Sequence, residues 1–226
     1  MSETWSVSAA LLDMDGTLID TERVYFDSLV ETLTARGYAD GAEALCHAMI
    51  GLPGPACETM LIEHHGKDFP LDEIMQAYVG NRDRRMAEGL PLKTGALELL
   101  DGLAAAGCPM AIVTASSRRN AERNLSLAGI RKRFDTVLTL DDVTHGKPSP
   151  ELYLLAATRL GVAPQRCVAV EDSNHGVASS HAAGAITIMV PDLMPPTDET
   201  RSKCAAVLPD LNAVLALLQQ RCVFER

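Results

Sequence analysis

The chain has 226 residues, 47% of them hydrophobic, and its 20 Lys and Arg residues against 30 Asp and Glu residues give a formal net charge of −10. This length allows one large domain with a smaller insert. The acidic balance excludes a protein that binds nucleic acid through its phosphates, because the sequence has no large Lys/Arg cluster, and it favours a small substrate.

The composition also bears on location and partners. No apolar run approaches the ~18 residues of a membrane span, so we expect no membrane partner. The acidic start of the chain lacks the pattern of a signal peptide. The six cysteines include no CxxC pair, which argues against a zinc motif and predicts reduced thiols in the cytoplasm. We expect a monomer or a weak homo-oligomer.

The first predicted element is a short buried strand over residues 8–14, which ends in Asp-Met-Asp-Gly. Residues 21–36 have apolar side chains at helical spacing and are followed by a glycine, so they predict a helix. Helical spacing continues up to residue 90, without a convincing strand. The further helices predicted there cover 41–49, 55–65 and 71–88. We therefore predict an inserted all-helical cap domain over residues 21–90.

From residue 91 onwards, strands and helices alternate. The predicted strands cover 109–114, 136–140, 167–170 and 186–190. The predicted helices cover 94–106, 118–127, 150–160, 174–183 and 209–220. This alternation is typical of an α/β fold, so we predict a Rossmann-like parallel sheet with helices on both faces, formed by residues 1–20 and 91–226. The stretch 193–200 contains two prolines and is predicted as an ordered surface loop.

Ligands of such sheets bind beyond the carboxyl ends of the strands, and the first strand ends in two carboxylates. Asp13 and Asp15 are two residues apart, so in a strand they would face the same side. One carboxylate can attack a phosphorus atom while the other acts as the general acid and base. Gly16 would let the backbone turn closely around a substrate. Taken alone, the pair fits a simple turn equally well.

Three later segments carry polar groups at predicted strand ends or turns. Thr114, Ala115 and Ser116 suit phosphate oxygens, although a plain helix cap explains them as well. Lys147 lies between Gly146 and Pro148 and could neutralise carboxylates and a phosphate, although a lone surface lysine is the commoner case. Glu171 and Asp172 are oxygen ligands that suit Mg²⁺. Independent chance explanations at all four places are improbable.

The sequence resembles the haloacid dehalogenase (HAD) superfamily over nearly its whole length. Asp13-Met14-Asp15-Gly16-Thr17-Leu18 is similar to the first motif of that family, and Thr114, Lys147 and Glu171-Asp172 are similar to the second, third and fourth motifs. The helical insert matches the small cap domain of the β-phosphoglucomutase-like branch.

This resemblance implies a Mg²⁺-dependent phosphatase that forms an aspartyl-phosphate. Asp13 would be the nucleophile and a metal ligand, and Asp15 would be the acid/base and give its backbone carbonyl to the metal. Thr114 and the Ala115 N–H, with Gly16 and Ser116 nearby, would bind the phosphoryl group. Lys147 would pair with Asp13 and the phosphate. Asp172, with Glu171 directly or through water, would complete the metal site.

The expected substrate is a small phosphorylated metabolite, such as a sugar phosphate. A mutase is the first alternative. The β-phosphoglucomutases of this family carry a histidine where Tyr25 stands, and an arginine in the loop that matches 51–54. Both are missing here, which favours a hydrolase. A non-catalytic sensor of phosphometabolites is the second alternative. Arg23, Tyr25, Arg82 and the 51–54 loop could contact the substrate, but a solvated or structural role explains each of them better.

Overall fold

A computed structural model describes residues 4–50, 52 and 54–224 of the chain. The chain forms two compact units, Met1–Asp20 with Pro91–Arg226 and, separately, Thr21–Leu90. The helices are α1 (Thr21–Ala35), α2 (Ala42–Ala48), α3 (Gly54–His65), α4 (Leu71–Ala87), α5 (Ala96–Ala105), α6 (Arg118–Leu127), α7 (Glu151–Leu160), α8 (Asn174–Ala182), α9 (Asp198–Lys203) and α10 (Leu211–Arg221).

The first unit contains the strands. They are β1 (Trp5–Val7), β2 (Ala9–Leu12), β3 (Met110–Val113), β4 (Thr136–Leu138), β5 (Cys167–Glu171), β6 (Ile186–Met189), β7 (Ala206–Val207) and β8 (Cys222–Phe224). The main sheet has the order β4-β3-β2-β5-β6-β7, and each neighbouring pair in it is parallel. The predicted α/β fold with a parallel sheet is confirmed.

Strand β2 lies in the middle of this sheet, and all four of its residues are buried. Ala9 and Leu11 belong to an apolar cluster that includes Leu152 and Tyr153 of α7. Because side chains alternate along a strand, Ala10 and Leu12 point to the opposite face, where they are buried as well. Both faces of the central strand are therefore covered, as a doubly wound sheet requires.

The structure corrects several predicted boundaries. The first strand ends at Leu12 instead of Met14, because the chain turns at Gly16 and Asp15 instead bridges to Ile19. The predicted strand 136–140 ends at Leu138 because Thr139 caps a short 3-10 turn.

The prediction of a loop over 193–200 is wrong at its end. Helix α9 begins at Asp198, where the side chain of Thr197 accepts a hydrogen bond from the backbone N–H of Thr200 at 3.1 Å. Strands β1, β7 and β8 were not predicted either. Each is only two or three residues long, and its pairing depends on the folded sheet.

The second unit contains helices α1 to α4 joined by short turns, and the residues that the structure describes there include no strand. Its own apolar core includes Leu33, Leu45, Leu61 and Ile74. Residues 51 and 53, in the predicted break between two of these helices, lie outside the described residues, and α3 begins at Gly54. Across the described parts of both units, no helix is long and apolar enough to cross a membrane.

We expect Val170→Ala to lower the free energy of unfolding by about 2 kcal/mol, because it removes buried methyl groups in the strand that ends at Glu171. The matched control is Val223→Ala in β8, where the same change falls on a side chain that is 52% exposed and should cost less than about 0.5 kcal/mol. Urea unfolding followed by circular dichroism measures both values. Equal losses would contradict the assigned positions of these strands.

Candidate active site

Three adjacent strands of the main sheet, β3, β2 and β5, end at one edge with polar groups. Thr114 follows β3, Asp13 follows β2, and β5 ends with Glu171, which Asp172 follows. In a parallel sheet the carboxyl ends of neighbouring strands lie side by side, so these residues meet because of the strand order.

The ammonium group of Lys147 connects these strand ends. Its Nζ lies 2.6 Å from Oδ1 of Asp13, 2.5 Å from Oε1 of Glu171 and 2.9 Å from the carbonyl oxygen of Val113. The side chain is only 6% exposed. Burial alone would lower the pKa of Lys147, but the charges of Asp13 and Glu171 outweigh it and raise this pKa well above its ordinary value. The lysine is therefore a fixed positive charge.

Glu171 is fully buried. Its Oε1 also accepts a hydrogen bond of 2.5 Å from the hydroxyl of Tyr153. Burial raises the pKa of Glu171, and the attraction of Lys147 opposes this rise. A Cβ atom on Gly176, in the first turn of α8, would overlap the carboxylate. Helix α8 can therefore approach the end of β5 so closely only because this residue is glycine.

Asp172 stands beside two other carboxylates. One oxygen atom each from Asp13, Glu171 and Asp172 lies within 4.8 Å of the others. The Thr17 hydroxyl donates to Oδ2 of Asp13 at 2.9 Å and lies 3.4 Å from Oδ1 of Asp172. Burial, followed by the charges of Asp13 and Glu171, raises the pKa of Asp172 well above its ordinary value. Like charges are thus held together here at a cost in stability.

The donor set of this cluster fits a divalent cation. Three carboxylates face a single ammonium group, so in the ionised state two negative charges are left over. Carboxylate oxygens are the ligands that Mg²⁺ prefers, and buried charges require compensation. Asp13, Glu171 and Asp172 are therefore the residues that could hold such an ion.

Asp15 is held by hydroxyl and amide groups. Its Oδ2 accepts a hydrogen bond of 2.7 Å from the hydroxyl of Ser116 and lies 3.4 Å from that of Thr114, and its Oδ1 lies 3.3 Å from the amide nitrogen of Asn124. The backbone N–H of Ser116 donates to Oγ1 of Thr114 at 3.0 Å. Ser116 thus uses both donors within the site, so its expected contact with phosphate stays a prediction.

The backbone around these side chains is exposed at Ala115 and tightly packed at Gly16. Ala115 is exposed, so its backbone can be approached from solvent. Helix α6 is capped by Ser117, whose hydroxyl oxygen accepts from the backbone N–H of Asn120 at 3.4 Å. Gly16 has a φ angle of +82°, and a Cβ atom there would overlap Oδ2 of Asp172. No residue with a side chain fits this turn without displacing that carboxylate.

Sequence reasoning missed three residues that hold the site together. Thr17 is part of the first motif but was given no role. Asn124 and Tyr153 lie in helices α6 and α7 at buried positions, 1% and 0% exposed. A polar residue on the buried face of a helix carries no local signal for its partner, because the tertiary fold determines which side chain it meets.

The residues of the second unit that were considered as substrate contacts have partners within that unit. The Nε atom of Arg23 lies 3.9 Å from Oδ2 of Asp27, and the Arg23 side chain is 74% exposed. The guanidinium of Arg82 lies 5.9 Å from the ring centre of Tyr25 and 5.8 Å from that of Tyr78, and it donates to Asp83. These contacts agree with the structural reading of Arg82.

The sequence of the chain matches a known protein family and several characterised proteins. The haloacid dehalogenase-like hydrolase family matches residues 10–190. A probable pseudouridine-5′-phosphatase of Saccharomyces cerevisiae is 34% identical over 229 residues, 96% of this chain and 92% of that protein. The bifunctional riboflavin kinase/FMN phosphatase of Arabidopsis thaliana is 35% identical over 190 residues. That match covers 82% of this chain and 49% of the plant protein, so the chain spans about half the length of this relative.

Solved structures agree with this family. A HAD family hydrolase from Deinococcus radiodurans, with bound phosphate and sodium, has a TM-score of 0.83 and 27% identity, covering 94% of this chain and 96% of that one. A putative β-phosphoglucomutase from Thermotoga maritima has a TM-score of 0.81 and 28% identity, covering 95% of this chain and 99% of that one. The chain therefore belongs to the haloacid dehalogenase superfamily of hydrolases, in its β-phosphoglucomutase-like branch, and is a phosphomonoesterase of that family.

Proposed function

We propose that the protein is a Mg²⁺-dependent phosphatase that hydrolyses a small organic phosphate through an aspartyl-phosphate on Asp13. The observation that carries this proposal is the buried Asp13 carboxylate, which is held at 2.6 Å by Lys147 and lies beside Glu171 and Asp172. These contacts support the proposal, because they would hold the proposed nucleophile beside a positive charge and beside carboxylate oxygens that could bind a metal ion.

In the first step, an oxygen of Asp13 attacks the phosphorus atom of the substrate. The new bond between Asp13 and phosphorus forms as the bond between phosphorus and the leaving oxygen breaks. Asp15 gives its proton to that leaving oxygen, so the alcohol departs neutral. The hydroxyl of Ser116 and the amide of Asn124 hold the Asp15 carboxyl group in place for this transfer.

In the second step, Asp15 takes a proton from water, and the hydroxide oxygen attacks the phosphorus atom of the aspartyl-phosphate. The bond between phosphorus and Asp13 breaks, which restores the free carboxylate and releases inorganic phosphate. Asp15 is again protonated and ready for the next substrate. Each residue therefore returns to its starting state, and the net reaction converts one phosphate monoester and one water molecule into the alcohol and inorganic phosphate.

Charge stabilisation provides the larger share of the acceleration, because general acid/base action contributes only ~10²–10⁴. Lys147 supplies a positive charge that its buried partners hold in place. The Thr114 side chain and the Ala115 N–H are the proposed contacts to the phosphoryl oxygens. A magnesium ion held by Asp13, Asp172 and Glu171 would neutralise the developing negative charge when bound. The backbone carbonyl of Asp15 is the further ligand that we propose for it.

The proposed substrate class is a phosphate monoester of a small metabolite, such as a sugar phosphate. Two relatives are named for the substrates pseudouridine 5′-phosphate and FMN, and both of these substrates are small phosphate monoesters. Residues 21–90 form the proposed cap domain, which would exclude water and select the leaving group. We favour hydrolysis over mutase chemistry because Tyr25 stands where the mutases carry a histidine. The sequence 51–54 also lacks the arginine of the mutase cap loop; residues 51 and 53 of this segment lie outside the described residues.

We expect Asp13→Asn to lower kcat/KM for p-nitrophenyl phosphate by at least about 1,000-fold, since the nucleophile is lost. Activity of the unchanged protein should require added Mg²⁺ after dialysis against EDTA. The matched control is Asp135→Asn, which makes the same charge change at an exposed position of the same unit and should keep full activity. Retention of wild-type activity by Asp13→Asn would exclude the proposed nucleophile.

Asp15→Asn tests the two-step mechanism separately. We expect steady-state turnover of p-nitrophenyl phosphate to fall by about 10²–10⁴, the usual contribution of a general acid and base. The first step should survive better than the second, because p-nitrophenolate leaves without a proton whereas water must lose one. Stopped-flow absorbance should show a burst that approaches one p-nitrophenolate per enzyme, and intact-mass spectrometry should detect the phosphorylated protein. Turnover without any phosphoenzyme would argue for direct attack by water.

A further inference from the structure

An ion pair lies beside the proposed metal site, and no step of the mechanism uses it. The Nζ atom of Lys93 is 2.6 Å from Oδ1 of Asp192 and 3.5 Å from Oδ1 of Asp20. The Asp192 side chain is only 9% exposed. The lysine thus fixes the position of a carboxylate that is more than nine-tenths buried, through one of its two oxygens.

The other oxygen of Asp192 is unexplained by the fold. Its Oδ2 atom is buried and has no hydrogen-bond partner. Buried carboxylate oxygens are nearly always satisfied, because leaving one without a partner costs its hydration energy. The pair with Lys93 does not need this second oxygen, so some further group must account for its position.

That free oxygen lies close to one of the proposed metal ligands, Asp172. A Cβ atom added to Gly16 would overlap Oδ2 of Asp172 and would lie 3.2 Å from Oδ2 of Asp192. The two carboxylates therefore border the same small space around the backbone of the first motif. The carboxylates of Asp172 and Asp192 repel each other in this space, and a bound cation would neutralise that repulsion.

We propose that Asp192 is a positioning residue for the cation, whose free Oδ2 accepts a hydrogen bond from a water molecule on the ion bound at Asp13 and Asp172. This inference rests on the proposed Mg²⁺ site. Mg²⁺ keeps several of its waters when it binds to proteins. Mutation of a residue that hydrogen-bonds to the ligands of a metal ion typically weakens metal binding by about 10–100-fold. Lys93 holds the carboxylate in the orientation that this contact requires.

The test is calorimetric titration of Mg²⁺ alone into the EDTA-dialysed full chain. We expect Asp192→Asn to weaken Mg²⁺ binding by about tenfold or more. The amide oxygen of asparagine can still accept from Lys93, so this variant removes the charge and keeps the shape. Asp20→Asn is the matched control, because it removes the other carboxylate on Lys93. Its Mg²⁺ affinity should stay within about twofold of the unchanged protein.

A second readout separates this role from a structural one. Without Mg²⁺, Asp192→Asn should melt at or above the temperature of the unchanged protein, because the repulsion with Asp172 is relieved. Added Mg²⁺ should then raise its melting temperature less than it raises that of the unchanged protein. If the carboxylate serves only the pair with Lys93, the Mg²⁺-free variant would instead melt lower or fail to fold, and the inference would be wrong.

The outcomes also separate this inference from the proposed function. Equal Mg²⁺ affinity in Asp192→Asn and the unchanged protein would overturn the role of Asp192 alone. Equal weakening in Asp20→Asn and Asp192→Asn would overturn it too, because total charge around Lys93 would then explain the effect. If the unchanged protein neither bound Mg²⁺ nor needed it to hydrolyse p-nitrophenyl phosphate, the proposed metal-dependent mechanism would itself be contradicted.

Discussion

The position of the Lys147 ammonium group determines much of the catalytic core. Its three acceptors come from the ends of three neighbouring strands: Asp13 after β2, the carbonyl of Val113 in β3, and Glu171 in β5. An ammonium group has three hydrogens, and each has one partner here. A buried charge is tolerated only when it is paired and hydrogen-bonded, so any shift of one strand end would leave this lysine undersatisfied.

The carboxylates around Lys147 carry more negative charge than this lysine can neutralise. The lysine cannot neutralise Asp13, Glu171 and Asp172 together, and burial and mutual repulsion raise the pKa values of both Glu171 and Asp172. Such an arrangement destabilises the folded protein by itself, but it creates a strong attraction for a cation. Hydroxyl groups of Thr17 and Tyr153 hold the carboxylate oxygens in place. The resulting site is prepared for a positive ion before any ion arrives.

Much of this fold could be predicted from sequence because it follows local rules. Alternating apolar strands and helices predict the parallel sheet, and the sheet then brings polar strand ends to one edge. This is why Asp13, Thr114 and Glu171 could be expected to lie near one another. Lys147 was harder, since a lysine in a turn is ordinary by itself, and the family resemblance gave it its expected role.

Other features depend on the folded chain and left no local signal. Strands β1 and β8 are three residues each, and they pair across almost the whole sequence. Tyr153 lies in an apolar helix, where it is indistinguishable from a core residue until its hydroxyl meets Glu171. Asp192 belongs to a loop whose pattern indicates only a turn. The contacts that tune the site therefore come from packing, whereas the groups that define it follow the strand order.

Asp13 and Asp15 have identical side chains but different surroundings, which agrees with the two different roles that we propose for them. Asp13 is 5% exposed and faces an ammonium group and the other carboxylates. Asp15 is half-buried and accepts from Ser116, with Thr114 and Asn124 close by, all of them neutral. A nucleophile needs a fixed position and a compensating charge, whereas an acid/base must exchange protons with a leaving group and with water. The hydroxyl and amide contacts of the half-buried Asp15 suit the second task, and the buried, charge-paired position of Asp13 suits the first. Two residues of separation on a turning chain are enough to give them these different environments.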